Sequence, residues 1–115
     1  MAAINSRAKG KRGELELAAF FRAHGFDEAR RGVQYKGGAD SPDVVGLPGY
    51  QVECKRVERG NLYDWLDQAT NDSGPGHVPL VCHRRSRSDW VAILPLDQFL
   101  ALVKRHDELL NERGT

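Results

Sequence analysis

Long apolar runs are missing from this sequence. No segment approaches the ~20 consecutive apolar residues that a membrane-spanning helix requires, which argues against a transmembrane protein. The segment from Met1 to Arg12 is basic, but it lacks the apolar stretch and small-residue cleavage site of a secretory signal. We therefore expect a cytoplasmic protein that does not associate with a membrane.

Cysteine is scarce, and the usual zinc-binding spacings are absent. The two cysteines, Cys54 and Cys82, each lie in an apolar, strand-like segment, where a free thiol behaves as a small hydrophobic side chain. Buried thiols are the preferred interpretation, while a disulfide and a metal-ligand role stay open. The four histidines form no His-x-x-x-His pair and have no Cys-x-x-Cys partner. Any bound metal is therefore expected to have oxygen ligands.

Net charge is small, at +1, but the charges are unevenly distributed. Residues 1 to 36 contain four acidic residues and eight basic ones, which are Arg7, Lys9, Lys11, Arg12, Arg22, Arg30, Arg31 and Lys36. The chain after Asp89 is slightly acidic, so one end of the protein is suited to a polyanion. For each basic cluster, including Arg84 to Arg87, solvated surface charge is an equally good explanation.

The 115 residues have room for one core and contain no repeat or linker, so we expect a single domain over 1–115. Apolar periodicity predicts a helix from about Gly10 to His24 and another that begins at Pro95. Asn61 is a suitable N-cap for a helix that ends before Ser73.

Strand-like segments fill the intervals between the predicted helices. They are Phe26 to Tyr35, Asp43 to Leu47, Gln51 to Val57, Val78 to His83 and Trp90 to Leu94. Turn chemistry at Pro48-Gly49 makes the second and third segments a β-hairpin. The expected order is α-β-β-β-α-β-β-α, an α/β fold in which a central mixed five-stranded sheet is flanked by helices.

The predicted hairpin gathers three charged side chains. Side chains alternate between the faces of a strand, so Glu53 and Lys55 share one face, and Asp43 begins the neighbouring strand. Two carboxylates suit Mg²⁺, and a lysine beside them can orient an attacking water and offset charge on a phosphate. A half-exposed cross-strand pair of Glu53 and Lys55 explains the same pattern without any catalysis.

Two glutamates of the first predicted helix receive different interpretations. Glu14 lies at the edge of the buried helix face, because Leu17, Ala18 and Phe21 follow it at helical spacing, and we interpret it as a third acidic group of the metal site. An acid favoured by the helix dipole stays open as the alternative. Glu16 lies on the opposite side, where a surface pair with Arg12 is a sufficient explanation.

These motifs together resemble the Holliday junction resolvases of the archaeal type and their phage-encoded relatives, within the PD-(D/E)xK nuclease superfamily. The resemblance covers residues 5 to about 70. It rests on Lys9-Gly10-Lys11-Arg12-Gly13-Glu14 at a helix start, Gly-Ala-Asp-Ser-Pro-Asp ending at Asp43, and Val52-Glu53-Cys54-Lys55. The resemblance implies a restriction-endonuclease-like core in a homodimeric, Mg²⁺-dependent enzyme of a bacterial or archaeal cell that cuts four-way DNA junctions by paired nicks. Mn²⁺ stays open as a substitute for Mg²⁺.

Residue roles follow from the same resemblance. Glu14, Asp43, Glu53 and Lys55 correspond to the catalytic residues, and the first three of them correspond to the metal ligands. The predicted DNA-contacting residues are Arg7, Lys9, Lys11, Arg12, Arg30, Arg31, Lys36, Ser41, Arg56 and Gln68. A surface role is the stronger interpretation of Gln68, and Ser41 is a weaker candidate than Asp43. After Gly74 the sequence departs from the better-known archaeal members, so Leu96, Phe99 and Leu102 are interpreted either as a dimer surface or as core.

Four other functions are compatible with parts of the sequence. A broader branched-DNA, flap or single-strand nuclease of the same superfamily would have the same motifs. A restriction-type nuclease fits less well, because a chain of this size leaves little surface for base readout. A non-catalytic DNA-binding module would have a broken metal site, and an unrelated α/β interaction domain would require that all four matches be coincidence.

Overall fold

A computed structural model of the protein describes the backbone of residues 6–32 and 42–114, and the side-chain surroundings of residues 10–32 and 42–113. The elements in chain order are α1 (Ser6–Ala23), β1 (Arg30–Arg31), β2 (Val44–Val45), β3 (Tyr50–Lys55), α2 (Leu62–Asp72), β4 (Val78–His83), β5 (Val91–Ile93) and α3 (Leu96–Gly114). This order confirms the α/β fold and the mixed five-stranded sheet expected from the sequence.

The strands lie in the sheet in the same order as in the chain, β1-β2-β3-β4-β5. The β3 and β4 strands are parallel, with Val52 opposite Leu80 and Cys54 opposite Cys82. The other three neighbouring pairs are antiparallel. A parallel pair requires a crossover, and α2 provides it between β3 and β4.

The two faces of the sheet have different chemistry. On one face, a hydrophobic cluster joins α1 to the central strands through Leu17, Ala18, Val44, Val52, Leu80 and Cys82. Because side chains alternate along β3, Gln51, Glu53 and Lys55 project from the other face. Gln51 and Glu53 are buried, as are Val81 on β4 and Ala69 on α2. A carboxyl group is therefore enclosed on the same side of the sheet as α2.

The first two strands are much shorter than predicted. The predicted strand from Phe26 to Tyr35 is reduced to β1, and its residues 33–35 lie outside the described part. Gly32 ends β1 at a close backbone approach, where a Cβ would lie 2.1 Å from the carbonyl oxygen of Pro42. The N–H of Gly32 donates to the carbonyl of Asp43 over 2.8 Å. Gly32 therefore fixes β1 against the residue that precedes β2.

The second helix begins where the sequence predicts it. Asn61 has an extended backbone, with φ −98° and ψ 111°, and its side chain accepts hydrogen bonds from the N–H groups of Tyr63 and Asp64. This is the N-cap geometry that the residue type predicts. Ahead of the cap, a Cβ at Gly60 would lie 2.0 Å from the Trp65 ring, so only glycine lets the chain pass this ring.

The third helix is largely exposed to solvent. Every residue from 99 to 113 is exposed, and Leu96 is 70% exposed. Leu96, Phe99 and Leu102 are therefore not core residues, which removes one of their two interpretations. Within the described ranges, no helix combines the length and apolarity that crossing a membrane requires.

The cysteine prediction is confirmed. Cys54 and Cys82 are free thiols on neighbouring strands, the first partly buried and the second buried. Burial raises the pKa of Cys82 to about 12, and burial together with the charge of Asp43 raises the pKa of Cys54 further. Both groups are therefore neutral thiols over the physiological range, as expected of small apolar side chains.

Candidate active site

The position of Asp43, directly before β2, is fixed by three hydrogen bonds. Its N–H donates to the Val52 carbonyl over 2.8 Å, and its carbonyl accepts from Gly32. Its side-chain Oδ2 accepts from the N–H of Cys54, also over 2.8 Å. Because β2 is only two residues long, this carboxylate satisfies a β3 backbone donor that a longer strand would satisfy with a carbonyl.

Glu53 lies beside Asp43 on the neighbouring strand. Val44 pairs with Val52, and the N–H of Asp43 donates to the Val52 carbonyl, so Asp43 lies beside the residue that follows Val52. Their side chains share a hydrogen bond, and the Gln51 amide also approaches Glu53 Oε1 at 3.4 Å. The sequence-based expectation that the hairpin brings these two carboxyl groups together agrees with this geometry.

Glu53 has a strongly perturbed acidity. Burial, followed by the charge and hydrogen bond of Asp43, raises its pKa from 4.5 to about 8, and Asp72 acts in the same direction. Two carboxyl groups in contact cannot both ionise cheaply, so at neutral pH the pair retains a proton when no cation is near. Such a pair favours a positively charged ligand that can replace the proton.

Glu14 approaches Asp43 from α1. Burial and the charge of Asp43 raise the pKa of Glu14, while the charge and hydrogen bond of Arg31 oppose that rise. Arg31 Nε donates to Glu14 Oε1 over 2.8 Å, and the two side chains are 40% and 17% exposed. Arg31, predicted as a DNA contact, is therefore already paired with an acidic residue that was predicted as a metal ligand.

Lys55 lies at the end of β3, two residues after Glu53. Strand alternation places both side chains on one face, and Lys55 is partly buried. Its backbone carbonyl accepts from the N–H of Arg84 over 3.0 Å, which ties the strand end to the segment after β4. Within the described ranges, its ammonium group has no hydrogen-bond or ion-pair partner, so it is available to an anionic ligand.

The donor set fits a divalent cation that retains open coordination positions. Within residues 10–32 and 42–113, no three Asp, Glu, His or Cys side chains form a group that encloses a metal ion. Asp43 and Glu53 supply two oxygen donors in contact, and Glu14 is close enough for the charge of Asp43 to raise its pKa. Mg²⁺ commonly uses one or two carboxylates together with substrate phosphate, so this pair is sufficient.

The predicted DNA-contacting residues with described surroundings are spread over α1, β1, α2 and the segment after β3. Lys11, Arg12 and Arg30 are exposed, Arg56 is partly buried beside α1, and Gln68 is exposed on α2. Arg7 and Lys9 lie in α1, and nothing is described of their side chains. The predictions for Lys36 and Ser41 lie outside the described residues.

The surroundings of Glu16 differ from the sequence-based expectation. Instead of a surface pair with Arg12, its carboxylate forms ion pairs with Arg56, at 3.5 Å from Nε, and with Arg84. Arg84 lies 68 residues further along the chain, so helix spacing offers no signal for this contact. The sequence signal for this contact was the basic cluster from Arg84 to Arg87. The sheet sets the position of that cluster beside α1, so the pairing with Glu16 could not be predicted from the sequence.

A cavity of about 750 Å³ adjoins the acidic site. Pro42, Gln51 and Asp72 are among its lining residues. Pro42 directly precedes Asp43, and both Gln51 and Asp72 affect the pKa of Glu53. Asp43 and Glu53 themselves are not part of its wall. The two carboxyl groups are therefore neighbours of lining residues and do not line the cavity themselves.

Comparison of the chain with protein-family models, curated proteins and solved structures gives no match in any of the three.

Proposed function

We propose that this protein is a metal-dependent DNA endonuclease that resolves four-way junctions by paired phosphodiester nicks. The observation that carries the proposal is the contact between Asp43 and Glu53, with the pKa of Glu53 raised to about 8. Buried, coupled carboxyl groups are costly to fold, and such groups concentrate at functional sites. Lys55 on the same strand face adds a cation without a partner among the described residues.

Each residue then has a distinct role in hydrolysis. A bound Mg²⁺ would supply Lewis-acid polarisation of the phosphoryl group and lower the pKa of the attacking water. Asp43 and Glu53 would hold the cation, and Glu14 would add negative charge that increases the preference for it. Lys55 would orient the water and offset charge developing on the phosphate oxygens.

We propose four-way junctions, rather than other DNA structures, as the substrate for two reasons. The motifs resemble those of junction resolvases, and a chain of this size recognises the shape of a phosphate backbone more readily than a base sequence. Two matched cuts require two sites related by a two-fold axis, so we propose a homodimer. The exposed apolar side chains of α3, including Leu96, Phe99 and Leu102, are the surface that we propose for the second copy. A cytoplasmic location stays a prediction.

The test is cleavage of a labelled synthetic four-way junction beside linear duplex, flap and single-strand substrates, with Mg²⁺ or with EDTA. Asp43→Asn is the inactive variant, and Asp67→Asn is the matched control because Asp67 is an exposed acid on α2. We expect paired, symmetric nicks in the junction with the wild type and with Asp67→Asn. Cutting should be lost with EDTA and reduced by about 10²-fold or more in Asp43→Asn.

The other outcomes separate the rival functions. Equal cutting of flaps or single strands would replace junction resolution with a broader branched-DNA nuclease that uses the same site. DNA binding without metal-dependent cutting would indicate a non-catalytic DNA-binding module. Neither binding nor cutting would favour an unrelated interaction domain.

A further inference from the structure

Glu14 and Arg31 form an ion pair whose acidic partner is largely enclosed. Arg31 Nε lies 2.8 Å from Glu14 Oε1, and the glutamate side chain is only 17% exposed. Solvent and salt screen a partly buried pair less than a pair on the surface. The guanidinium of Arg31 therefore both orients the Glu14 carboxylate and offsets its charge.

The sheet places Arg31 on the side that α1 covers. Arg31 is opposite Val44 in the antiparallel pairing of β1 with β2, and directly opposed residues project from the same face of a sheet. Val44 packs with Leu17 of α1 in the hydrophobic cluster. Arg31 therefore meets Glu14 on the α1 face, whereas Glu53 projects from the other face.

Asp43 links this ion pair to Glu53. Asp43 shares a hydrogen bond with Glu53, and its charge raises the pKa of Glu14. The N–H of Gly32, the residue after Arg31, donates to the Asp43 carbonyl over 2.8 Å, which ties the end of β1 to Asp43. A change of charge at Glu14 therefore acts on the carboxyl pair through Asp43.

Glu14 is nevertheless not grouped with the two carboxyl groups in contact. Across residues 10–32 and 42–113, no three acidic, histidine or cysteine side chains lie close enough together to hold a metal ion. Glu14 instead accepts the hydrogen bond from Arg31. A cation held by Asp43 and Glu53 would therefore have two carboxylate ligands and a third carboxylate nearby whose charge is offset.

We propose that Arg31 is a positioning residue that holds Glu14 outside the metal ligand set and thereby limits the affinity of the free protein for Mg²⁺. With two carboxylate ligands, the cation retains open positions for water and for substrate phosphate, which supplies the missing negative charge. Without Arg31, the Glu14 carboxylate is free to turn towards Asp43 and become a third ligand.

The inference rests on the proposed function and deepens it, because it names the residue that makes metal occupancy depend on substrate. It gives Arg31 a role other than the DNA contact that the resemblance implies. It also changes the role of Glu14 from a ligand to a carboxylate that is withheld from the metal.

The experiment is equilibrium binding of Mn²⁺, as a spectroscopic substitute for Mg²⁺, to the protein without DNA. The paramagnetic resonance signal of free Mn²⁺ measures the unbound fraction at a fixed pH. Arg31→Met removes the donors and should tighten binding by about tenfold, because the site gains a carboxylate and loses a nearby cation. Arg30→Met is the matched control, since Arg30 is an exposed neighbour that donates to the Glu28 carbonyl, and it should change the affinity by less than about twofold.

A double substitution separates positioning from simple loss of charge. In a Glu14→Gln background no carboxylate is left for Arg31 to hold, so Arg31→Met should tighten Mn²⁺ binding much less than it does in the wild type. An equal gain in both backgrounds would show that Arg31 acts only through its own charge, and would overturn the positioning role. Unchanged or weaker Mn²⁺ binding by Arg31→Met would overturn it as well. A folding defect cannot imitate the expected result, because it does not tighten metal binding.

Junction cleavage by the same proteins distinguishes this inference from the proposed function. A wild type that cuts junctions while Arg31→Met binds Mn²⁺ no more tightly would retain the nuclease and overturn the role of Arg31. The expected Mn²⁺ results without any cutting would support the role of Arg31 and overturn the nuclease. A wild type that binds no Mn²⁺ would overturn the inference and the metal dependence of the proposed function together.

Discussion

The backbone N–H of Cys54 donates a 2.8 Å hydrogen bond to Oδ2 of Asp43. An acidic side chain is thereby oriented by the main chain of the neighbouring strand, and the same carboxyl group contacts Glu53. If the carboxylate turned away, this strand N–H would lose its acceptor, so the hydrogen bond favours the observed orientation. Asp43 thus has a structural role and a proposed chemical role that substitutions can separate.

The separation predicts different results for two substitutions of Asp43. Asn retains an oxygen that accepts from Cys54, so Asp43→Asn should fold normally and lose metal-dependent cutting by about 10²-fold or more. Ala retains no acceptor, so Asp43→Ala should also lower the free energy of unfolding by about 1 to 3 kcal/mol. Denaturant unfolding and junction cleavage measure the two effects. Equal stability of both variants would contradict the structural role.

The raised pKa of Glu53 predicts that stability depends on pH. Between 4.5 and about 8 the folded state retains a proton that the unfolded state releases, so the free energy of unfolding falls as pH rises through this window. The slope contributed by one such group is at most about 1.4 kcal/mol per pH unit. Glu53→Gln should flatten the curve and stabilise the protein at pH ~8, because the amide has no charge to bury.

Glu14 contributes a pH dependence of the same sign, because its pKa is also raised. Glu53→Gln should therefore reduce the slope of stability against pH without abolishing it.

Adding Mg²⁺ at pH ~8 should raise the midpoint of thermal unfolding of the wild type, because binding to the folded state alone stabilises it. Asp43→Asn should show a smaller Mg²⁺ effect. A wild-type curve that rises between pH ~5 and ~8 would contradict the assigned proton.

Gly32 predicts a stability effect that is specific to its position. A Cβ there would lie 2.1 Å from the Pro42 carbonyl oxygen, so Gly32→Ala must push the backbone next to Asp43 out of place. We expect a loss of about 1 to 3 kcal/mol together with weaker cutting. Gly10→Ala is the matched control, because nothing lies near that Cβ and alanine favours a helix by about 0.5 to 1 kcal/mol. Similar losses in both variants would show that the close approach does not matter.

The sequence contains enough information to predict the central strands and the acidic pair. Apolar residues mark β3 and β4, the Pro48-Gly49 turn sets the hairpin, and strand alternation places Glu53 and Lys55 on one face. Asn61 marks the start of α2 because its side chain accepts hydrogen bonds from the N–H groups of the first helical turn. These signals are local, so they can be read without knowing how the elements pack.

The contacts between distant segments could not be predicted in this way. Glu14 pairs with Arg31 and Glu16 pairs with Arg84, and both pairs exist only because the sheet brings separate segments against α1. The short β1 is a similar case, since Gly32 ends it through its approach to Pro42. The sequence analysis predicted Arg31 as a DNA contact and treated Arg84 only as part of a basic cluster, whereas packing pairs both of them with glutamates.

The exposed third helix predicts how the protein associates. Because residues 99–113 are exposed, apolar side chains on α3 contribute little packing within their own chain, and replacing them should not unfold the protein. The double substitution Phe99→Glu with Leu102→Glu should convert a homodimer into a monomer, because it places charges in an apolar interface. Sedimentation velocity measures the association state, and circular dichroism verifies the fold. Leu15→Glu, at a 48% exposed position on α1, is the control and should remain dimeric. A double variant that still dimerises would place the interface elsewhere, while a monomeric wild type would remove the dimer from the proposed function.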